Sequence, residues 1–464
     1  MTLKTVLCNP AQPVYYVPHI PPLGMSYLAG YLREHEQEVT LLDFEHEATS
    51  MGKRTMNRLV DMACNLEPDI IGFTAWADCM PFISEFLTRF RQRAPDCITV
   101  LGGPLPSVAP AETLELMPAV DYVVVGEGEH VLLQLIQQLE QGKAPDSEGV
   151  CYKKGGSLFY RPQTSHVDIE TLPFPAYDLL PPVRDYTREG EPTVLTMAAS
   201  RGCIYNCTFC SSKMMWGLYR CRSVNNVIDE VAFHVREYGD IFIDFLDDIF
   251  TAYPQWVKTF CRRLQERNLD LKWSCITRVD RVNRELLKNL KEAGCRIIFY
   301  GVDSGTQRIL NQINKGYKVE DVLRAIETSL EFGFSIENTF IINFPTETKQ
   351  EMMETLKLAR TLLDMGVEEA VVFILTPHPN LSILDSSKEY LPTPYRNGFL
   401  EYISYVTDTP QQYDSPYFFP EAYTPRNPSV TEEEFQELFE ICTEINKESG
   451  FPLTLMIREN STIP

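Results

Sequence analysis

The chain runs to 464 residues, 44% hydrophobic and 23% charged, the balance of an ordinary globular protein with room for two or three domains. Acidic side chains outnumber basic ones 64 to 42, and the formal net charge of −22 disfavours binding to nucleic-acid backbones, since no run of Lys or Arg offsets it. No apolar stretch is long enough for a membrane-spanning helix, and the opening "MTLKTVLCNPAQPVYY" reads as a strand rather than a cleavable leader.

Strand and helix patterns then alternate. "LKTVLCN" (3–9) is a short apolar run closed by Asn-Pro, and "PLGMSYLAGYLREH" (22–35) repeats apolar residues at helical spacing. "EVTLLDF" (38–44) and "DIIGFTA" (69–75) read as strands, and "MPFISEFLTRFRQRAP" (80–95) as an amphipathic helix with Phe82, Phe86, Leu87 and Phe90 on one face. "ITVLGGP" (98–104), "AVDYVVVGEGE" (119–129) and "HVLLQLIQQLEQ" (130–141) complete the series. Apolar strands separated by helices predict a parallel sheet covered on both faces, an α/β doubly wound Rossmann-like domain over 1–145 whose ligand sits beyond the carboxyl ends of its strands.

Residues 146–190 break the rhythm, with a hairpin around Lys153–Gly156 and the proline-rich "IETLPFPAYDLLPPV", and read as a linker. A second alternation covers 191–380. Its strands are "PTVLTMAASRGC" (192–203), "DIFIDFLDD" (240–248), "LKWSCITRV" (271–279), "CRIIFYGVDSG" (295–305), "FSIENTFIINFP" (334–345) and "EEAVVFILTP" (368–377), with helices between them at 254–268, 283–293 and 348–365 among others. Such units predict a partial (β/α)6 barrel, with its chemistry on the loops after the strands. Residues 381–464 form a small C-terminal substrate or cap region, rich in Tyr and Pro, with one helix capped by Ser429 or Thr431.

Thirteen cysteines scattered through a large chain predict a reducing, cytoplasmic setting with thiols free or metal-bound. Three of them, Cys203, Cys207 and Cys210, stand as C-x3-C-x2-C in "SRGCIYNCTFCSS". A structural zinc site takes four ligands, usually in paired knuckles, and no second knuckle or His pair accompanies these. A four-iron cubane takes one thiolate per iron, so three thiolates would leave one iron open to a chelating small molecule. A zinc site or a reactive-thiol cluster is the alternative.

That spacing after a first barrel strand, with Phe209 just ahead of the last cysteine, resembles the signature of the radical S-adenosylmethionine (SAM) enzymes. The resemblance implies a [4Fe-4S] cluster on the three cysteines and SAM at its open iron. It places Asp247 and Asp248 of "FLDDIFT" near the SAM ammonium, although Asp248 can equally cap the next helix, and Arg278 near the SAM carboxylate, unless it makes a surface ion pair. "GVDSGTQRILNQINKG" resembles the family's G-[IV]-E-S-G element, so Asp303, in place of the usual Glu, and Ser304 would contact SAM. "FIINFPTET" resembles the fifth-strand G-x-P-x-E-T motif and adds Asn343 and Pro345 to the SAM site, with Asn343 and Phe344 where Gly is common. "ILTPHPNLSIL" resembles the sixth-strand segment, with Asn380 and Leu381 replacing Gly-Thr.

The first domain resembles the cobalamin (B12)-binding domain that precedes many radical SAM modules, through "PPLGMSYLAGYL", "PDIIGFTA", "LGGPLPSVAP" and "VDYVVVGEGE" in that order. By this resemblance Thr74, Trp76, Gly102, Gly103, Gly126, Glu127 and Gly128 face cobalamin; tight turns or a core tryptophan are the local alternatives. The D-x-H-x-x-G element that ligates cobalt from below is absent, so no His ligand is expected. Together the resemblances imply a cobalamin-dependent radical SAM enzyme. Its expected activity is C-methyl transfer, by a 5′-deoxyadenosyl radical and methylcobalamin, to an unactivated carbon of a small metabolite, lipid or peptide. A flavodoxin or ferredoxin would supply the electron. The alternatives are a cyclase or rrearrangement enzyme without methyl transfer and a non-catalytic B12 or redox sensor; the catalytic residues beyond the cofactor sites are not specified by any motif.

Overall fold

The computed structural model describes residues 2–11, 20–50, 56–76, 79–187, 192–375, 382–385, 427 and 429–449. Ala77, Asp78, Asn380 and Leu381 lie outside the described residues, as does most of the region after 385. The chain forms two compact units, the first built on residues up to Val194 and the second chiefly on residues from Leu195 onward.

The first unit holds a seven-stranded sheet in the order β2-β1-β3-β4-β5-β6-β7. Its strands are β1 (Thr5–Asn9), β2 (Val39–Asp43), β3 (Ile70–Thr74), β4 (Ile98–Gly102), β5 (Tyr122–Val124), β6 (Val150–Lys154) and β7 (Ser157–Tyr160). The first five run parallel, with Leu7 in register with both Leu41 and Gly72. Every residue of β1 is buried, as a central strand covered on both faces requires. Helices Leu23–Glu34 and Gly128–Glu140 pack on each other, as do Met56–Asn65 and Met80–Arg93, which gives the doubly wound arrangement. The apolar face of Met80–Arg93 forms a phenylalanine stack with Phe44 and Phe73, Phe86 lying 5.1 Å from each ring. The expected hairpin is present, but β6 pairs antiparallel onto β5, so the hairpin extends this sheet. The proline-rich stretch after it docks on the first helix, Ala176 donating its N–H to the Ser26 carbonyl at 2.9 Å.

The second unit is built on a six-stranded half-barrel sheet in the order β15-β14-β13-β12-β11-β8. Its strands are β8 (Thr193–Met197), β11 (Ile241–Phe245), β12 (Lys272–Thr277), β13 (Cys295–Asp303), β14 (Ser335–Ile342) and β15 (Glu369–Ile374). Two-residue strands β9 (Ser200–Arg201) and β10 (Arg220–Cys221) pair antiparallel outside it. The pairings from β11 to β15 are all parallel. Along β14 burial alternates strictly, which marks one face packed under helices and one half-open. Helices Val224–Tyr238, Pro254–Glu266, Arg284–Glu292, Val319–Glu331 and Lys349–Asp364 supply the cover. Phe245, Phe250, Phe260, Trp256 and Trp273 pack edge-on and stacked beneath β11 and β12.

The helix Glu432–Glu448 lies against β15 and Lys349–Asp364, with Thr431 as its N-cap. It also closes the sheet edge. Asn446 accepts from Val372 N–H at 2.7 Å and donates to the Val372 carbonyl at 2.9 Å, and Ser449 does the same for Ala370 at 3.1 and 3.2 Å. Backbone groups that an edge strand leaves unpaired are thereby satisfied by side chains. No described helix is long and apolar enough to cross a membrane.

Candidate active site

The three cysteines lie on the loop between β9 and the short helix Ser212–Trp216, beyond the end of β8. Two aspartates at the end of β11 brace this loop. Asp247 is almost fully buried and accepts from Ala199 N–H at 3.0 Å and from the Ser200 hydroxyl. Asp248 accepts from the Ser212 hydroxyl at 2.7 Å and from Gly202 N–H. Burial pushes the Asp247 carboxyl up to about 6, against the pull of those hydrogen bonds.

From the other side the loop is held by residues 313–315. Thr208 N–H donates to the Ile313 carbonyl at 3.2 Å, and the Asn314 side chain donates to the Asn206 carbonyl at 2.9 Å. Arg278, leaving the end of β12 and only 6% exposed, lies flat on Tyr205 within the cysteine loop, 3.5 Å from the ring centre. Its Nε and Nη2 reach Asp280 at 2.8 and 3.1 Å, Nη2 also meets the Lys315 carbonyl, and Nη1 lies 3.8 Å from Cys207 Sγ. Lys315, equally buried, pairs with Asp303. Burial raises the thiol pKa values of Cys203 and Cys207, and these two cations work against it. Sequence reasoning missed Tyr205, Asp280, Asn314 and Lys315. The only available signal was the "NKG" that closes the fourth-strand motif.

Asp247, Asp248, Arg278, Asp303 and Asn343 leave the carboxyl ends of four neighbouring strands, β11 to β14. Asp303 and Asn343 are non-glycine residues in left-handed backbone, at φ 67° and 70°. Asn adopts that conformation more readily than most side chains, which accounts for Asn343 standing where the motif favours Gly. Ser304 turns its hydroxyl toward Thr306 and Thr355, 3.4 Å from each, and so into the protein. Phe209 meets Phe344 edge-on at 5.7 Å. Pro345 is buried, its carbonyl accepting from Gln312 at 2.8 Å.

Among the described residues no group of three His, Cys, Asp or Glu side chains could hold a single metal ion. The three thiols of the loop lie close enough for their charges to act on one another, and a cubane would take one thiolate per iron.

In the first unit, the loops after β3, β4 and β5 gather at one end of the sheet. Thr74 is in register with Gly102, and Ala75 N–H donates to the Gly102 carbonyl at 2.8 Å. Ser107 brings in the third loop by accepting from Gly126 N–H at 2.9 Å. Two glycines are demanded by the chain itself. A Cβ on Gly103 (φ 97°) would lie 2.7 Å from Ala75 N and Thr74 Oγ1, and one on Gly126 (φ 78°) 2.1 Å from Gln163 Oε1. A Cβ on Gly102 would meet only ordinary contacts, and one on Gly128 would crowd Leu28 at 3.0 Å. Glu127 is turned inward, accepting from Val167 N–H at 3.1 Å, whereas Trp76 is 41% exposed.

Two family models match the chain, the B12 binding domain over residues 16–136 and the radical SAM superfamily over residues 197–359. An uncharacterized methyltransferase of Pyrococcus horikoshii is 34% identical over 362 residues, 77% of this chain and 76% of the relative. The anaerobic magnesium-protoporphyrin IX monomethyl ester cyclase of Rubrivivax gelatinosus is 28% identical over 77% of this chain, a match spanning 65% of that enzyme's length. Among solved structures, the radical SAM methyltransferase TsrM from Kitasatospora setae, with cobalamin and a [4Fe-4S] cluster bound, superposes with a TM-score of 0.68 at 19% identity. That likeness covers 84% of this chain and 75% of TsrM, and it is a likeness of fold. The chain belongs to the radical SAM superfamily and carries a B12-binding domain ahead of its radical SAM module.

Proposed function

We propose that this protein is a C-methyltransferase that uses a [4Fe-4S] cluster, SAM and cobalamin to methylate an unactivated carbon of a small metabolite, lipid or peptide. The observation that carries this reading is the braced loop of Cys203, Cys207 and Cys210 at the carboxyl end of a half-barrel, in a chain that resembles a named methyltransferase over three quarters of both lengths. When bound, these groups supply a 5′-deoxyadenosyl radical and a transferable methyl group.

The chain's own residues then have distinct tasks. Cys203, Cys207 and Cys210 hold the cluster, and Asp247 and Asp248 fix the loop that presents them. Asp303 and the left-handed turn at Asn343 shape the SAM side at the ends of β13 and β14, with Ser304 and Pro345 behind them and Phe209 on the cluster loop. In the first unit the Thr74–Trp76, Gly102–Gly103 and Gly126–Gly128 loops would hold the cobalamin. A low-potential donor of the flavodoxin or ferredoxin kind supplies the electron.

The test uses anaerobically reconstituted protein with its corrinoid, SAM carrying a deuterated methyl group, a low-potential reductant and a metabolite extract. A product heavier by the label, with S-adenosylhomocysteine and 5′-deoxyadenosine formed in equal amounts, is the expected result. The similarity to a ring-forming cyclase favours a second reading, in which 5′-deoxyadenosine accumulates and the product carries no label.

A further inference from the structure

We infer that Arg278 is a positioning residue for the cluster: its Nη1 donates to the Cys207 sulfur and, with Lys315, stabilises the reduced cluster. The inference rests on the assignment of the three cysteines as cluster ligands. The sequence offered Arg278 as a partner for the SAM carboxylate, yet in the structure each nitrogen of its guanidinium is already engaged. Nε and Nη2 are held by Asp280, Nη2 also by the Lys315 carbonyl, and the plane is clamped on Tyr205. This arrangement leaves Nη1 aimed at Cys207 Sγ, 3.8 Å away. Tyr317 lies 5.1 Å from the same guanidinium, and both Arg278 and Lys315 are nearly closed to water.

Four contacts fixing one side chain in a buried pocket make it a preorganised donor rather than a mobile clamp for an incoming ligand. Reduction adds one electron from the external donor to the cluster, so its thiolate corners become more negative. A fixed N–H and a positive charge beside one corner favour that state over the oxidised one, and screening is weak where water is excluded. Asp303 offsets the charge of Lys315, and Asp280 that of Arg278, so the N–H contact at Cys207 carries more of the effect than net charge does.

The test is an EPR-monitored redox titration of full-length protein with its reconstituted cluster, with iron and sulfide measured on the same samples. Arg278→Lys, Arg278→Gln and the paired Arg278→Met/Asp280→Asn variant, which leaves no stranded carboxylate, are compared with the parent. The midpoint potential is expected to fall, least for Lys and most for the paired variant, at unchanged iron content. A midpoint that stays put at full iron content overturns the inference. Where no variant assembles a cluster, the parent decides: grown on 15N-arginine, its reduced cluster is expected to show 15N coupling in pulsed EPR, and the lack of that coupling overturns the inference. A parent that takes up no iron or sulfide overturns the cluster assignment itself, and this inference with it.

Discussion

Glu347 shows how one side chain sets a turn at the active end of the half-barrel. It follows Asn343 (φ 70°) and Thr346 (φ 67°) and is fully buried. Its Oε2 accepts from Phe344 N–H at 2.9 Å, and Oε1 has no hydrogen-bond partner among the described residues. Burial pushes this carboxyl up to about 8, outweighing the backbone donors of Phe344 and Asn343. The folded protein therefore keeps a proton that the unfolded chain releases near pH 4.5. This contribution to stability is fully present below pH 4.5 and is lost as pH rises through about 8. Glu347→Gln mimics the protonated form, so its denaturation midpoint should gain on the parent steadily between pH 5 and 8. Parallel midpoints across that range would show that the carboxyl ionises freely. The motif in "FIINFPTET" marked this stretch from sequence, but the reason for Asn343 emerged only from its backbone angle. Arg278 with Asp280, Tyr205 and Lys315 converge from three separate segments, and beyond the "NKG" that carries Lys315 no local pattern announces such a meeting.

At the scale of elements, the cysteine loop depends on how the helix Val224–Tyr238 is tied to the end of β8. Arg222 donates to the Ala198 carbonyl at 3.0 Å and to Asn226 at 2.6 Å, and forms a buried ion pair with Glu230 one helical turn further on. His234 stands 3.5 Å from the other oxygen of Glu230. Ser223 caps the helix start by accepting from Asn226 N–H at 3.2 Å. Removing one partner of a buried pair strands the other charge, which costs about 3–5 kcal/mol, whereas replacing both with apolar groups is far milder. Glu230→Leu should therefore lower stability by that order in denaturant titration, and the Arg222→Met/Glu230→Leu double variant should recover most of it. A double variant as unstable as the single one would mean that the tie to Ala198, not the charge, dominates. The helix and strand pattern was legible in the spacing of apolar residues, since each strand end and each cap leaves a local trace. The hairpin's place on the sheet edge and the sealing of β15 by Asn446 and Ser449 were not, because strand partners are chosen by tertiary packing.

For the whole molecule, the decisive fact is that each unit has its own sheet and its own aromatic core. The residues assigned to cobalamin lie on the first sheet's loops, and those assigned to the cluster on the half-barrel. Loops gathered by β3, β4 and β5 take their shape from contacts such as Ala75 N–H to Gly102 and Ser107 to Gly126, none of which involves a cysteine of the triplet. Cluster loading and corrinoid loading should thus be separable. A Cys203→Ala/Cys207→Ala/Cys210→Ala variant is expected to contain no iron or sulfide, yet to retain corrinoid in stoichiometric amount by its visible spectrum. It should also release no 5′-deoxyadenosine from SAM, because the cluster that Cys203, Cys207 and Cys210 would hold is the group that would supply the electron for that cleavage. Corrinoid lost together with iron would mean that the first unit does not bind it alone, and would place part of the cobalamin site on residues other than Thr74–Trp76, Gly102–Gly103 and Gly126–Gly128.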